Sequence, residues 1–262
     1  MDFSTLLFLI FGFASLIGAF AFEGGNPAAL IAPTAALIVF GGTIGAVGVS
    51  FPFKDIKRIP AIIKSIFKPK KIDLVSQLIF FRDLSTKTRK NGLLTIESEI
   101  AIADIDPFVK KGLQLVVDGV EPATIQGVLE MDIEMASERH HKGAAIFEAA
   151  GGFSPTMGII GTVMGLVHVL GDLNDPGSLG PKIAVAFIAT LYGVGFANLL
   201  WLPIGSKLKA IDDEEFNEKR LMMEAMLLIQ SGINPNTLVE KLKGFLNKKE
   251  VDHYDKINKG TE

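Results

Sequence analysis

Residues 149–171 read AAGGFSPTMGIIGTVMGLVHVLG, a run with no Asp, Glu, Lys or Arg. As an α-helix rising about 1.5 Å per residue, it is long enough to cross the roughly 30 Å hydrocarbon core of a bilayer. Three more uncharged stretches match it: Phe3 to Phe22, Pro27 to Phe51 and Ile183 to Ser206. The gaps between them are unequal, so the spans pair as two hairpins, 1–51 and 149–206, with a polar segment 52–148 between them and a charged tail 207–262 behind. In lipid the backbone must satisfy its own hydrogen bonds. The fold class is therefore all-α: a polytopic membrane protein with four transmembrane helices and a helical cytoplasmic region.

The 48% hydrophobic content is ordinary in amount and unusual only in how it is blocked. A net charge of -3 gives no basic footprint for nucleic acid, and 4 His residues do not make a His-rich metal site. With no Cys, disulfide and thiolate chemistry are excluded. The sequence carries no GxxxxGK[ST] phosphate loop, nucleophile–base pair or metal-ligand spacing, so neither an enzyme nor a cofactor or metal is expected. Ala19-Phe20-Ala21 has the form of a signal-peptide cleavage site. A signal peptide starts basic and has a shorter apolar core, whereas this chain begins Met1-Asp2 and is apolar from Phe3, so the first span is expected to stay.

Orientation follows from the basic residues beside the spans. Lys54, Lys57, Arg58, Lys64, Lys68, Lys70 and Lys71 follow the second span against a single acid, Asp55, and Lys207 and Lys209 follow the fourth. The linkers 23–26 and 172–182 hold one Lys and three acids. Both hairpin tips therefore face outward, with the termini and segment 52–148 in the cytoplasm.

Inside that segment the apolar residues recur at helical spacing. Ile59, Ile62, Ile63 and Ile66 form a stripe beside Lys57, Lys64 and Lys68, which reads as a helix on the inner membrane surface, limited by Pro60 and Pro69. A helix over 72–90 ends at Asn91-Gly92, a short one begins near Leu93, and Asp106-Pro107 and Glu121-Pro122 start two more. The last of these is expected to run nearly into the third span. After Ser206 a charged helix with Met222, Met223, Met226 and Leu227 on one side stops at Gly232 and restarts after Asn234-Pro235. The interrupted pattern suggests helices packed on a stalk without a large core of their own, and a frayed end after Leu246.

The spans carry no carboxylate or ammonium group, so an ion moving through them must find its charged ligand on another chain. What they do carry is glycine at four-residue spacing, Gly41 with Gly45 and Gly161 with Gly165, which suits close helix packing. Thr162 and Thr190 sit at comparable depth and can meet. Each hydroxyl can serve an ion or a hydrated carboxylate, or simply bond a carbonyl one turn back. Pro155 and Pro203 lie near the inner ends of the third and fourth spans, where each frees a carbonyl and permits a kink, or merely marks a helix entry. His168, near the outer end of the third span, reads as an interfacial hydrogen-bonding group or a relay.

The run Ser154 to Val167, together with Ala189-Thr190-Leu191-Tyr192-Gly193 and Leu202-Pro203-Ile204, resembles the third and fourth spans of flagellar stator A subunits, the MotA and PomA family. Arg89-Lys90-Asn91-Gly92-Leu93-Leu94-Thr95-Ile96-Glu97 is similar to that family's rotor-facing stretch. The resemblance covers nearly the whole chain. It implies a lipid-embedded subunit of the bacterial inner membrane, five copies of which surround two single-span MotB/PomB-like B subunits, each with a membrane Asp. Influx of H+ or Na+ then turns the ring and drives the rotor protein FliG, producing motility. By matching position, Arg89 and Glu97 become rotor contacts, Pro155 and Pro203 gating residues, and Thr162 and Thr190 parts of the ion path. Thr162 is similar to sodium-driven members, yet a hydroxyl orders water for protons equally well. The alternative is an ExbB/TolQ-type energiser of envelope transport, which typically has three spans and an outward amino terminus.

Overall fold

The structure, a computed structural model, describes residues 3–67, 72–102, 105–171 and 176–259, and the elements it describes are helical throughout. Lys68, Pro69, Lys70 and Lys71 of the basic run, and residues 172–175 of the second hairpin tip, lie outside the described residues. In chain order the α-helices are α1 (Phe3–Phe22), α2 (Pro33–Ala36), α3 (Gly42–Ser50), α4 (Phe53–Ile56), α5 (Ile59–Phe67), α6 (Leu74–Asn91), α7 (Thr95–Ile102), α8 (Pro107–Val117), α9 (Pro122–Gly171), α10 (Pro176–Phe196), α11 (Leu202–Gln230), α12 (Pro235–Leu242) and α13 (Lys248–Lys259). Packing divides the chain into two compact units, Met1–Lys70 with Arg139–Ile211, and Lys71–Glu138 with Asp212–Glu262.

Among the described residues four helical runs are long and apolar enough to cross a membrane, two of them wholly and two partly within the first unit. In α1 most apolar side chains stay uncovered by protein, with Leu7 61% and Phe11 66% exposed, while Phe13 meets the Phe196 ring at 5.0 Å. The second span is less regular than its sequence suggests. It opens as a 3-10 turn over Pro27–Leu30, breaks at Ile31 and Ala32, and resumes as α2, a π-helical stretch Leu37–Gly41 and α3. Pro33 explains the break: it has no N–H to donate back, and it forces the residue before it out of the helical region, leaving Ala32 at φ -124° and ψ 93°. Beyond the break, Ala35 and Val39 pack on Ile188 and Ala189 of α10.

On α5, Ile66 is 1% exposed against Ala144, Phe147 and Leu208, and Ile59 and Ile62 join the same cluster. The stripe assigned to the membrane surface is thus largely occupied by protein. Sequence alone could not show this, because the covering residues come from α9 and α11. The expected merger of the Pro122 helix with the third span is found: α9 runs unbroken for 50 residues.

The second unit has an apolar core, contrary to the expectation that its helices are too interrupted to build one. Leu78 and Phe81 of α6, Leu113 of α8, Leu129 of α9 and Met222 and Met226 of α11 meet in one fully buried cluster. Each such side chain contributes about 1.5–3 kcal/mol. The core closes because residues after Asp212 return to it, a pairing that short-range periodicity cannot reveal. At Gly112 an added Cβ would lie 2.5 Å from the Met226 sulfur, so α8 and α11 pack there without room for a side chain. The predicted stops at Gly92 and Gly232 carry φ of +85° and +69°, the left-handed region glycine tolerates. Residues 248–259 form a helix, α13, where a frayed segment is expected. Tyr254 of α13 is buried, and Arg82 of α6 donates to the Tyr254 hydroxyl and to the Asn258 side-chain Oδ1.

Candidate functional site

Small residues bring the third and fourth spans together. A Cβ added at Gly158 would lie 2.8 Å from the Ala189 carbonyl oxygen, one at Gly161 2.7 Å from the Ala189 Cβ, and one at Gly165 2.6 Å from the Ala186 Cβ. The predicted packing role of Gly161 and Gly165 is therefore realised within the chain. In the second span the close contact falls at Gly42, where a Cβ would meet the Met157 sulfur at 2.6 Å, while one at Gly45 would meet nothing within 4 Å. Within this chain the contact with the third span falls on Gly42, outside the Gly41 and Gly45 pair that the spacing singles out.

Between these contacts Thr162 and Thr190 meet, their hydroxyl oxygens 2.5 Å apart. Thr162 is also 2.8 Å from the Ala186 carbonyl and 3.2 Å from that of Gly158. A hydroxyl has one proton to give. When Thr162 gives its proton to Ala186, the shortest of its carbonyl contacts, Thr190 must be the donor in the pair. The Thr190 oxygen then keeps its lone pairs available. In chemical terms the pair is a small acceptor site for a cation, a water or a protonated carboxyl, held between two helices. Both residues are half-buried.

Pro155 lies inside α9 and not at a helix entry. By helical register it leaves the Gly151 carbonyl without its usual donor. Beside it the Ser154 hydroxyl is fully buried and has no hydrogen-bond partner. Pro203 follows the π-helical stretch Ala197–Trp201 by two residues. The two proline regions touch through Leu202, whose side chain would lie 2.5 Å from a Cβ at Gly151.

In the sequence Tyr192 stands out only as part of a motif, and the structure gives it a defined task. Its hydroxyl donates to the Leu30 carbonyl and accepts from the Ala32 N–H at 3.3 Å, binding α10 to the break in the second span. The signal was present in the sequence as a Tyr in an apolar span, which needs a polar partner, and a proline-induced break, which supplies one. His168 is exposed and lines a cavity of about 500 Å³ with Thr34, Met164 and Lys182.

Arg89 and Glu97 belong to the other unit. They occupy the last turn of α6 and the first turn of α7, on either side of the Gly92 turn, and both are exposed. The ion pair that bridges these two helices is Lys87 to Glu99 at 2.7 Å. Among the described residues no ion pair joins Arg89 to Glu97, so both charges remain available to a partner.

Two family descriptions match the chain: the MotA/TolQ/ExbB proton channel family over residues 101–221, and the motility protein A N-terminal region over residues 7–92. The chain is 36% identical to motility protein A of Bacillus subtilis, covering 95% of this chain and 93% of that one. It is 37% identical to chemotaxis protein PomA of Vibrio alginolyticus, covering 94% and 96%. Its fold is similar to a chain in the structure of the flagellar MotAB stator complex from Bacillus subtilis, with a TM-score of 0.88 at 34% identity over 94% and 97% of the two chains.

Proposed function

From the premise that the chain belongs to the MotA/TolQ/ExbB proton channel family, on its motility protein A side, we propose that it is the A subunit of a flagellar motor stator. The observation that carries this reading furthest is the pairing of an uncharged membrane region with a hydroxyl site inside it. The four spans contain no carboxylate, yet Thr162 and Thr190 hold acceptor oxygens between α9 and α10. Such a site suits an ion or proton brought by a carboxylate on another chain.

The partner is a single-span B subunit of the MotB/PomB type whose membrane Asp binds the passing H+ or Na+. Several copies of the present chain, five by the family pattern, surround two such helices in the bacterial inner membrane, with both termini inside. The exposed apolar faces of α1 and of α9 around Val163 and Val167 suit burial against lipid, further copies and the B helices. Ion passage shifts α9 against α10 and α11, with Pro155 and Pro203 supplying the unfilled carbonyls that let these helices bend. Arg89 and Glu97 then engage FliG on the rotor. Exposed charges suit a contact made and broken at every step, because electrostatic complementarity speeds encounter more than it prolongs it. The protein is a motor component, not an enzyme.

The test is purification from its native membrane, with identification of what accompanies it and measurement of ion flux in vesicles. The expected result is a co-purifying single-span chain with a membrane Asp, flux with both chains and little with this one. Gradient-driven conductance by this chain alone overturns the reading.

A further inference from the structure

The second span ends at Ser50, and the next fourteen positions carry exposed Lys54, Lys57, Arg58 and Lys64 against one acid, the half-buried Asp55. No ion pair to any of these cations is found among the described residues. Their arrangement is not diffuse. Backbone bonds from Lys57 N–H to the Phe53 carbonyl at 3.0 Å and from Arg58 N–H to that of Asp55 at 3.1 Å continue α4 by a turn. Lys54, Lys57 and Arg58 therefore stand at i, i+3 and i+4 and share one face.

An apolar group accompanies them. Phe53 is 68% exposed, three residues past the end of a membrane span, and the Lys57 ammonium sits 4.7 Å from its ring centre. A phenyl ring uncovered at that height suits the boundary between headgroups and acyl chains, and cations beside it suit the phosphates. The interior side of this elbow is firmly held: Phe51 and Ile59 pack on Trp201, and Ile66 is buried below. The cationic face is thus held in place by packing behind it.

We propose that the elbow over residues 53–64 is a binding site for anionic phospholipid, with Lys54, Lys57 and Arg58 on the headgroup phosphate and Phe53 inserted beside the upper acyl chain. Charge complementarity commits it to an anionic lipid over a zwitterionic one: three adjacent cations are set against a single half-buried acid, Asp55, and a zwitterionic headgroup returns a positive charge to them. The site depends on the chain lying in a membrane and is independent of any partner, ion or rotor.

The chain contains its own reporter, since Trp201 is its single tryptophan and lies directly behind the elbow. The full chain is reconstituted into vesicles of phosphatidylcholine and phosphatidylglycerol in which either lipid is brominated at equal mole fraction, and Trp201 quenching is measured. Brominated phosphatidylglycerol is expected to quench several-fold more effectively than its mole fraction dictates. The variant K54Q/K57Q/R58Q is expected to quench equally with both lipids, K248Q/K249Q to retain the preference, and Phe53→Ala to keep the headgroup preference with weaker quenching. Adding millimolar glycerol 3-phosphate is expected to leave the preference unchanged, which distinguishes a bilayer lipid from a free phosphate. Equal quenching by the two lipids in the unmodified chain, or a preference that survives the triple substitution, overturns the proposal. Where the triple variant loses helical content, the single changes Lys57→Gln and Arg58→Lys decide: the first is expected to reduce the preference and the second to retain it.

Discussion

A β-carbon placed on Gly193 would lie 3.0 Å from the Cα of Gly158 and 2.6 Å from the Ser154 carbonyl oxygen, so the third and fourth spans touch backbone to backbone. This contact is one helical turn from the Thr162–Thr190 pair, and it sets the distance at which the two hydroxyls meet.

Gly193→Ala should therefore force the helices apart, at a cost of about 1–3 kcal/mol from overpacking. Because the chain has no Cys, T162C/T190C forms a clean cross-linking pair. Cross-linking should be rapid in the parent and slowed by Gly193→Ala. Gly45→Ala meets nothing within 4 Å and serves as the control. Undiminished cross-linking with Ala at 193 would show that the contact does not govern the pair.

Removing the Thr190 hydroxyl with Thr190→Val should reduce ion-driven rotation strongly, while oligomer formation changes little. One hydrogen bond is worth about 0.5–1.5 kcal/mol of stability, too little to unfold the subunit. Torque measured by bead rotation across loads, beside oligomer size in detergent, separates the two effects. Unaltered torque would remove Thr190 from the ion path.

Tyr192→Phe deletes the group that donates to Leu30 and accepts from Ala32. The vacated backbone groups lie at a break in the helix and have no neighbour of their own to turn to. A loss of about 1–3 kcal/mol is expected, read as a lower unfolding temperature and faster amide exchange at residues 30–36.

Charge reversal at Arg89 or Glu97 should impair swimming and leave membrane assembly intact, since both side chains are exposed and no ion pair to either is found among the described residues. Reversal at Glu99 is the contrast, because it breaks the pair with Lys87 between α6 and α7. An exposed pair contributes roughly 0–1 kcal/mol, so its loss should appear as local loosening more than unfolding. Failed assembly on reversing Arg89 or Glu97 would assign them to structure.

The docking of α13 should weaken at alkaline pH. The hydrogen bond to Glu240, opposed by partial burial and aided by Asp255, raises the Lys243 ammonium above its ordinary 10.5. A raised value in the folded state means that its stabilisation is complete below 10.5 and is lost as pH climbs through the folded value. Amide protection of residues 248–259 is expected to be level from neutral pH upward until that range, and then to fall. Arg82→Ala should lower the protection at neutral pH, since it deletes the donor to Tyr254 and Asn258.

Much of the site was legible because membrane helices obey few rules. With charges absent from four stretches, the depth of Thr162 and Thr190 followed from counting along opposite directions, and their contact is as expected. The glycine pairing was half legible. Gly161 and Gly165 behave as their spacing suggests, while Gly42, Gly158 and Gly193 emerge only from the geometry of the facing helix. Tyr192 was invisible as a staple because its partners lie 160 residues or more earlier in the chain.

By itself the sequence determined what length and charge determine: four apolar runs, the caps at Asp106 and Asn234, and the glycine stops. These are local, because each depends on residues within a turn or two. The tertiary structure alone decided that Ile66 turns to Phe147 and Leu208, that Met226 closes a core against Gly112 and Leu129, that α13 is held by Arg82, and that the second span bends where Tyr192 reaches it. The physical reason is that burial is non-directional and acts between segments far apart in the chain. A stripe of isoleucines announces that it must be covered, and only the assembled helices determine by what.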